Sequence, residues 1–232
     1  MDMFRAAFLA SVLGLCAGAV PAQATTVEGE VDLFELHVGD GDEHFTFDSA
    51  LSVGSDTDRF EVRASGGSDV GPLIDNVQLE ALYVHNVSDK FTLLAGYRQD
   101  VREGEDLSHG SLAAVLAPVD WLELEHFFYL SERGDLTGSG QVLGSFPLSE
   151  SVTFEPRLNV NWAAQDIAQE DSGHGVTDIQ AAVRVRKTVV QHVEVYAGAI
   201  HERLLGKTRA IAVANGDRGS INRAIVGLAL RF

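Results

Sequence analysis

Apolar and polar side chains alternate along much of the chain in runs of about ten residues, separated by stretches rich in Gly, Asp, Ser and Pro. In "SVTFEPRLNVNWA", apolar residues and one proline occupy every second position from Val152 to Trp162. Thr, Glu, Arg and Asn occupy the positions between them. Because successive side chains of a β-strand point to opposite faces, this period predicts strands with one apolar and one polar face.

The alternation predicts twelve strands that cross a membrane. Their ranges are 30–38, 44–53, 58–66, 76–86, 90–100, 109–117, 121–131, 136–146, 151–163, 177–187, 192–203 and 219–232. Tilted strands of about ten residues span a bilayer, and lipid would cover their apolar rows. An even number of antiparallel strands can close without leaving an edge. We therefore predict an all-β fold: an antiparallel transmembrane β-barrel of about 12 strands, formed as a single domain by residues 25–232.

The connections between the predicted strands alternate in length. The even-numbered ones read "GSDTD", "VSD", "VD", "PLSE" and "VVQ", whereas the odd-numbered ones include "AQDIAQEDSGHGV" and "LLGKTRAIAVANGDRG". Outer-membrane barrels have short periplasmic turns and longer outer loops. The alternation thus predicts that both ends of the barrel chain are periplasmic. A soluble barrel is the alternative, and it is disfavoured by the export signal described next.

Residues 1–24 are predicted to be a cleaved secretory signal. An apolar stretch, "AAFLASVLGLCAGAV", precedes Pro21 and the small-x-small site at 22–24. The segment contains the single cysteine and both methionines of the chain, so the exported part has neither a thiol nor a thioether. We expect export to the outer membrane of a Gram-negative type of cell.

Charge and aromatic positions refine the expected partners. A net charge of −17 argues against nucleic acid, because no basic stripe could neutralise phosphates. Aromatic residues that fall near strand ends, where interfacial girdles lie, are Tyr83, Tyr97, Trp121, Trp162 and Phe232. The last strand, "SINRAIVGLALRF", resembles the signal read by the outer-membrane assembly machinery. Lipid and that machinery are therefore the expected partners, and deleting Phe232 should impair assembly.

Several ordered segments point to one family. They include "VQLEALYVHNVSDKFTLLAGYRQDVREG", "LAPVDWLELEHFFYLSERG", "FEPRLNVN" and "YAGAIHERLLGKT". Over residues 45–232 the chain resembles the barrel region of the copper resistance protein B family. The resemblance implies an outer-membrane protein of copper resistance and homeostasis that binds copper and exports or passes it. It also implies a soluble periplasmic copper-handling partner.

The chain departs from this family before its first strand. Family members typically carry a long Met- and His-rich segment there, whereas only "TTVEGE" follows the predicted cleavage site. Thioethers are the soft ligands that suit Cu(I), and imidazole with carboxylate suits Cu(II). We therefore expect a short form of the family that handles Cu(II).

The polar faces of the strands predict a charged lumen. Its expected ladder consists of Arg98, Asp100, Glu123, Glu125, Arg157, Arg184, Arg186, Glu202 and Arg223. The same alternation adds Glu35, Glu61, Arg63, Glu80, Glu155 and Glu194. One interpretation is a structural set of ion pairs that fills a narrow barrel, because buried charges need partners. The other is a partly wet path for a small ion, and the two are compatible.

The first hairpin offers the candidate metal site. If "GDGD" closes its loop, His37 and His44 face each other across the hairpin and both point inward. Paired residues have Cβ atoms about 4.5–5.5 Å apart, close enough for two imidazoles to share Cu(II). Asp48 would add a hard oxygen ligand and negative charge nearby. The alternative is two unrelated histidines at the membrane interface.

Other histidines give weaker signals. His109 and His174 are expected in outer loops, and His126 and His201 toward lipid. No G-x-S-x-G or other nucleophile motif accompanies them, so we do not expect an enzyme, although a lipid-modifying barrel is a third hypothesis. A generic small-solute porin remains the main alternative to a copper-resistance barrel.

Overall fold

The computed structural model describes residues 25–41, 43–69, 76–102 and 105–232. The signal predicted over residues 1–24 lies outside the described residues and stays a prediction. Within the described ranges, no helix is long and apolar enough to cross a membrane.

Nearly all of the described chain is β-strand. The strands are β1 (Thr26–Gly39), β2 (His44–Gly54), β3 (Asp58–Asp69), β4 (Asn76–Ser88), β5 (Phe91–Arg102), β6 (Leu107–Val119), β7 (Leu122–Ser131), β8 (Leu136–Gly144), β9 (Phe146–Ser149), β10 (Val152–Ala163), β11 (Gly175–Val190), β12 (Val193–Leu204) and β13 (Ser220–Arg231). A 3₁₀ turn (Ala168–Glu170) and one helix, α1 (Gly206–Asn215), lie in the two longest connections.

These strands form a closed antiparallel barrel. The strands pair in chain order, except that β8 pairs with β10 and not with β9, and β13 pairs with β1 to close the ring. β8 and β9 both pair with β10, so together they occupy one strand position that is interrupted at Ser145. The predicted twelve-strand barrel is confirmed, with strand bounds within a few residues of those expected from the alternation.

The turns and the faces of the strands also follow the prediction. Short turns join β2 to β3, β4 to β5, β6 to β7, β9 to β10 and β11 to β12, at the end of the barrel that holds both Thr26 and Arg231. We name this the periplasmic end, and the opposite one the outer end, after the orientation predicted from the sequence. Apolar side chains such as Phe60, Leu112 and Val226 are about half exposed on the outside. Leu82 and Ile225 on the inward faces are 1 % exposed. An exposed apolar outer band is the surface that lipid covers.

One β-bulge changes the predicted alternation. The register of β1 shifts between Val31 and Leu33 against β2, and between Val31 and Glu35 against β13. A bulge re-aims the side chains on one side of it. Asp32, which a strict period of two would point outward, therefore joins Glu35 and His37 inside the barrel.

The closing strand lies where the sequence predicted it. The amide nitrogen of Phe232 donates to the carbonyl of Gly29, and that of Gly29 donates back, each at 2.8 Å. On the outer face, Phe232 is largely exposed and Val226 is about half exposed. The end of β13 therefore completes the ring against the beginning of β1.

Candidate functional site

A group of ion pairs joins β1 to β10 and β11 inside the barrel; we call it the β1–β11 cluster. It consists of Asp32, Glu35, Glu155, Arg157, Arg184 and Arg186. Arg184 donates from Nε and Nη2 to the two carboxylate oxygens of Glu35, at 2.6 and 3.0 Å. Both side chains are almost fully buried, at 2 % and 1 % exposure. This two-point contact is the strong form of an arginine–carboxylate pair.

Asp32 holds the other two arginines of the β1–β11 cluster. Its carboxylate accepts from Arg157 at 2.8 Å and from Arg186 at 2.9 Å. Glu155 is 3.0 Å from Arg157 and 2.8 Å from Arg186. Asp32 thus balances the positive charge of Arg157 and Arg186. A strict alternation would place its side chain outside the barrel, and the β1 bulge brings it inside.

A second group, the β3–β7 cluster, lies on neighbouring strands. It consists of Glu61, Arg63, Glu80, Arg98, Asp100 and Glu125. Arg63 is 2.6 Å from Glu61 and 3.2 Å from Glu125, and Arg98 is 2.6 Å from Asp100. The guanidinium groups also lie over aromatic rings, Arg63 over Phe127 at 5.3 Å and Arg98 over Tyr129 at 4.5 Å.

The remaining members of the predicted ladder lie nearer the ends of the barrel. Glu202 accepts a hydrogen bond from Gln180 at 2.9 Å, and Glu123 is exposed beside the periplasmic opening. Arg223, expected to need an acidic partner, instead donates from Nε to the backbone carbonyl of Asp40 at 2.9 Å. It does so because β13 brings it against the turn that follows β1.

The candidate metal pair has the predicted register. His37 is paired with His44 across the first hairpin, and their ring centroids are 5.9 Å apart. His37 is 3 % exposed, and its Nε2 lies 3.0 Å from Glu35 and 3.1 Å from Thr46. Because imidazole–metal bonds are about 2 Å long, two rings at this separation can share one ion only if a nitrogen of each ring points toward the other ring.

Asp48 lies on the same inward face of β2 as this pair, four residues beyond His44. At a strand rise of about 3.3 Å per residue, that places it about 13 Å away. An ion between the two imidazoles would be beyond its reach, so its contribution would be charge rather than ligation. In the described part of the chain, no group of three or more His, Cys, Asp or Glu side chains is placed to hold a metal.

The other histidines divide between the two faces. His109, expected in an outer loop, instead lies buried in β6 against Tyr129 and 3.9 Å from Asp100, because the strand begins earlier than its pattern suggested. His126 stacks on Trp162 on the outer face, as expected for a lipid-facing girdle. His174 lies in the outer connection and hydrogen-bonds Asp166 at 2.8 Å.

The connection between β10 and β11 narrows the outer opening. Its Ile167 is buried, and Glu170 reaches Arg102 on β5, with contacts of 2.5 and 2.7 Å. The hydrogen bond from Arg102 lowers the pKa of Glu170 below its usual value. A hydrogen bond from Lys207, and to a lesser extent one from His174, holds the pKa of the Asp166 carboxyl well below its usual range. Both carboxylates therefore keep their negative charge in mildly acidic solution.

Three cavities inside the barrel adjoin one wall, among those that the described residues line. The periplasmic cavity has a volume of about 560 Å³, and the outer cavity about 480 Å³. A smaller space of about 230 Å³ lies between them, against β7, β8, β10 and β11. We call it the neck; it is lined by Glu125, Ser139, Gln141, Asn159, Asp178 and Gln180, with Gly140 and Asn161.

A family model settles which proteins this barrel is related to. The model described as "Copper resistance protein B precursor (CopB)" matches residues 25–232, the whole of the predicted barrel. The chain belongs to the copper resistance protein B family. Membership and the barrel fold together support a location in the outer membrane.

Curated members of the copper resistance protein B family are distant relatives of the chain. Copper resistance protein B of Escherichia coli is 26% identical over 192 residues, which cover 81% of this chain and 63% of the relative. The copper resistance protein B homolog of Pseudomonas syringae pv. tomato is 23% identical over 180 residues, covering 78% and 61%. The chain thus spans about six-tenths of the length of these relatives.

Solved structures with the same fold as this copper resistance protein B family member include two porins. The KdgM porin superposes with a TM-score of 0.55 at 13% identity, covering 88% of this chain and 99% of the porin. The NanC porin superposes with a TM-score of 0.56 at 11% identity, covering 89% and 100%. At this identity the likeness establishes the outer-membrane barrel fold.

Proposed function

We propose that the barrel passes copper, as Cu(II), across the outer membrane in the direction of export. The observation that carries the proposal is the family match, which spans the barrel from residue 25 to residue 232. The relatives from Escherichia coli and Pseudomonas syringae bear copper resistance in their names. Copper is the cargo in this proposal, not a resident cofactor.

The chemistry of the lumen supports a cation as cargo. Acidic side chains line all three cavities, and the arginines of the two clusters are occupied by carboxylates. His37 and His44 offer two imidazoles at the outer end of the first hairpin, next to Glu35. Imidazole with nearby carboxylate suits Cu(II). A bound ion would exchange there on its way through the outer opening.

The remaining parts of the proposal concern export and partners. Residues 1–24 direct secretion, and the strand that ends at Phe232 is read by the outer-membrane assembly machinery. A soluble periplasmic protein delivers copper to the periplasmic opening. The barrel acts without catalysing a reaction.

A generic small-solute channel is the second candidate function. The likeness to the KdgM and NanC porins favours it, because those proteins share the barrel architecture. The candidates differ in specificity: a generic channel would change the entry of many solutes, whereas copper export would change tolerance to one metal.

Growth of a deletion strain separates the two candidates. Removing the gene should lower the copper concentration that stops growth while leaving tolerance to zinc, cobalt and small antibiotics unchanged. A plasmid copy should restore it. Unchanged copper tolerance, or an equal change for every solute, would contradict copper export, and increased copper tolerance would indicate uptake instead.

A further inference from the structure

We propose that cations cross the barrel along one wall, through the neck between β7, β8, β10 and β11, and that this neck selects against anions. The inference rests on the part of the proposed function in which the lumen conducts. It holds whether copper or another cation is the cargo. Its ligand class is a small hydrated cation.

Packed apolar side chains occupy parts of two other walls of the lumen. On the β4–β7 side, a cluster of buried residues includes Leu82, Val84, Leu94 and Phe127. Across the barrel, Ala182, Ile200 and Ile225 pack together between β11, β12 and β13. A dehydrated apolar surface offers no oxygen to an ion, so an ion would pass these two clusters at a distance, and the wall around β8 and β10 offers it amides and carboxylates.

The three cavities adjoin one another along that wall. The periplasmic cavity and the neck share Glu125 and Gln141 in their linings. The neck and the outer cavity share Ser139, Asn161 and Asp178. Consecutive cavities that share lining side chains are neighbours, and together they lead from the periplasmic opening to the outer one.

The neck presents oxygen atoms and negative charge. Its lining contains two carboxylates and several amides, and no Lys or Arg lines it among the described residues. Asn159 donates from Nδ2 to Gln180 at 2.9 Å, and Asn161 donates from Nδ2 to Asp178 at 2.8 Å. These bonds use the amide nitrogens as donors and leave the carbonyl oxygens of Asn159 and Asn161 as acceptors for an ion.

Asp178 is the charge that governs the neck. Among the described residues, its carboxylate accepts hydrogen bonds from Asn161 and Thr177, which are both neutral. Glu125, by contrast, is balanced by Arg63 at 3.2 Å. A carboxylate in a constriction raises the local concentration of cations and repels anions. Asp178 should therefore set most of the charge preference of the path.

The reversal potential in a potassium chloride gradient tests this inference. The full barrel, reconstituted into a planar bilayer, should prefer potassium over chloride. Asp178→Asn should lower that preference about threefold, as expected for one unit charge about 7 Å from an ion in water. Asp171→Asn is the matched control, because Asp171 is exposed in the outer connection that precedes β11 and lies outside the cavity linings.

A second pair of variants keeps the test decisive if Asp178→Asn assembles poorly. Ser139→Trp should fill the neck and remove most of the conductance, whereas Ser65→Trp, on the inward face of β3, should retain it. Equal effects within either pair, or an anion preference, would overturn the neck as the path. A silent wild-type barrel that is folded and inserted would also overturn it, while the copper-tolerance measurement would still decide the proposed function separately.

Discussion

At the scale of single residues, the histidines differ in what surrounds them. His37 is buried next to Glu35 and Thr46 and faces His44 across the hairpin. His126 and His201 lie on the outer face, where their partners are Trp162 and Asn222. An imidazole pair near a buried carboxylate suits a divalent cation, whereas a lipid-facing histidine is suited to the membrane interface.

Copper titration of the purified barrel tests the residue-scale prediction. Replacing both His37 and His44 by Ala should weaken Cu(II) binding at least tenfold, because two imidazole ligands are lost together. The measurement is isothermal titration calorimetry on a protein without a histidine tag. The matched control, His126→Ala together with His201→Ala, should bind like the wild type. Equal affinities for the wild type and the His37/His44 variant would remove this site.

At the scale of strands, two glycines allow neighbouring backbones to approach. A Cβ added at Gly198 in β12 would lie 2.0 Å from the carbonyl oxygen of Val183, and one at Gly96 in β5 would lie 2.0 Å from that of Ala81. Both obstacles are backbone atoms, which cannot rotate away as a side chain can. Gly198 is paired with Arg184, so the close approach supports the strand that carries the most buried arginine.

Gly198→Val should therefore disrupt the barrel. We expect the fraction of folded protein to fall several-fold, because a strand glycine with a close backbone neighbour has no room for a side chain. The shift between heated and unheated protein in gel electrophoresis measures this fraction. Gly110→Val provides the control, since a Cβ at Gly110 meets no atom within 4 Å. Equal folding of the two variants would contradict the argument.

The strands themselves were predictable because each one must bury one face and expose the other to lipid, which imposes the period of two. The β1 bulge could not be predicted, because a bulge adds one residue to a strand without a characteristic sequence. The inward position of Asp32 was therefore missed. α1 was also missed, because ten residues in an outer connection carry no constraint from the bilayer. Which charged side chains contact each other depends on the register of neighbouring strands. The sequence therefore predicted which residues lie in the lumen better than which residue each of them pairs with.

At the scale of the whole molecule, the chain carries an excess of negative charge, and the arginines of the two clusters inside its lumen are paired with carboxylates. The net charge is −17, and the buried arginines of both clusters contact carboxylates. Cations should therefore concentrate at both openings, while the paired arginines hold the barrel in shape. A barrel of this kind would favour a divalent cation over anions of similar size.

Copper flux into proteoliposomes tests the central claim most directly. Vesicles that enclose a fluorophore quenched by Cu(II) are mixed with Cu(II), and the rate of quenching is followed over time. We expect a rate that rises in proportion to the amount of reconstituted barrel and falls when Ser139→Trp replaces the wild type. Quenching no faster than in protein-free vesicles, with the barrel folded and inserted, would contradict the claim that it passes copper.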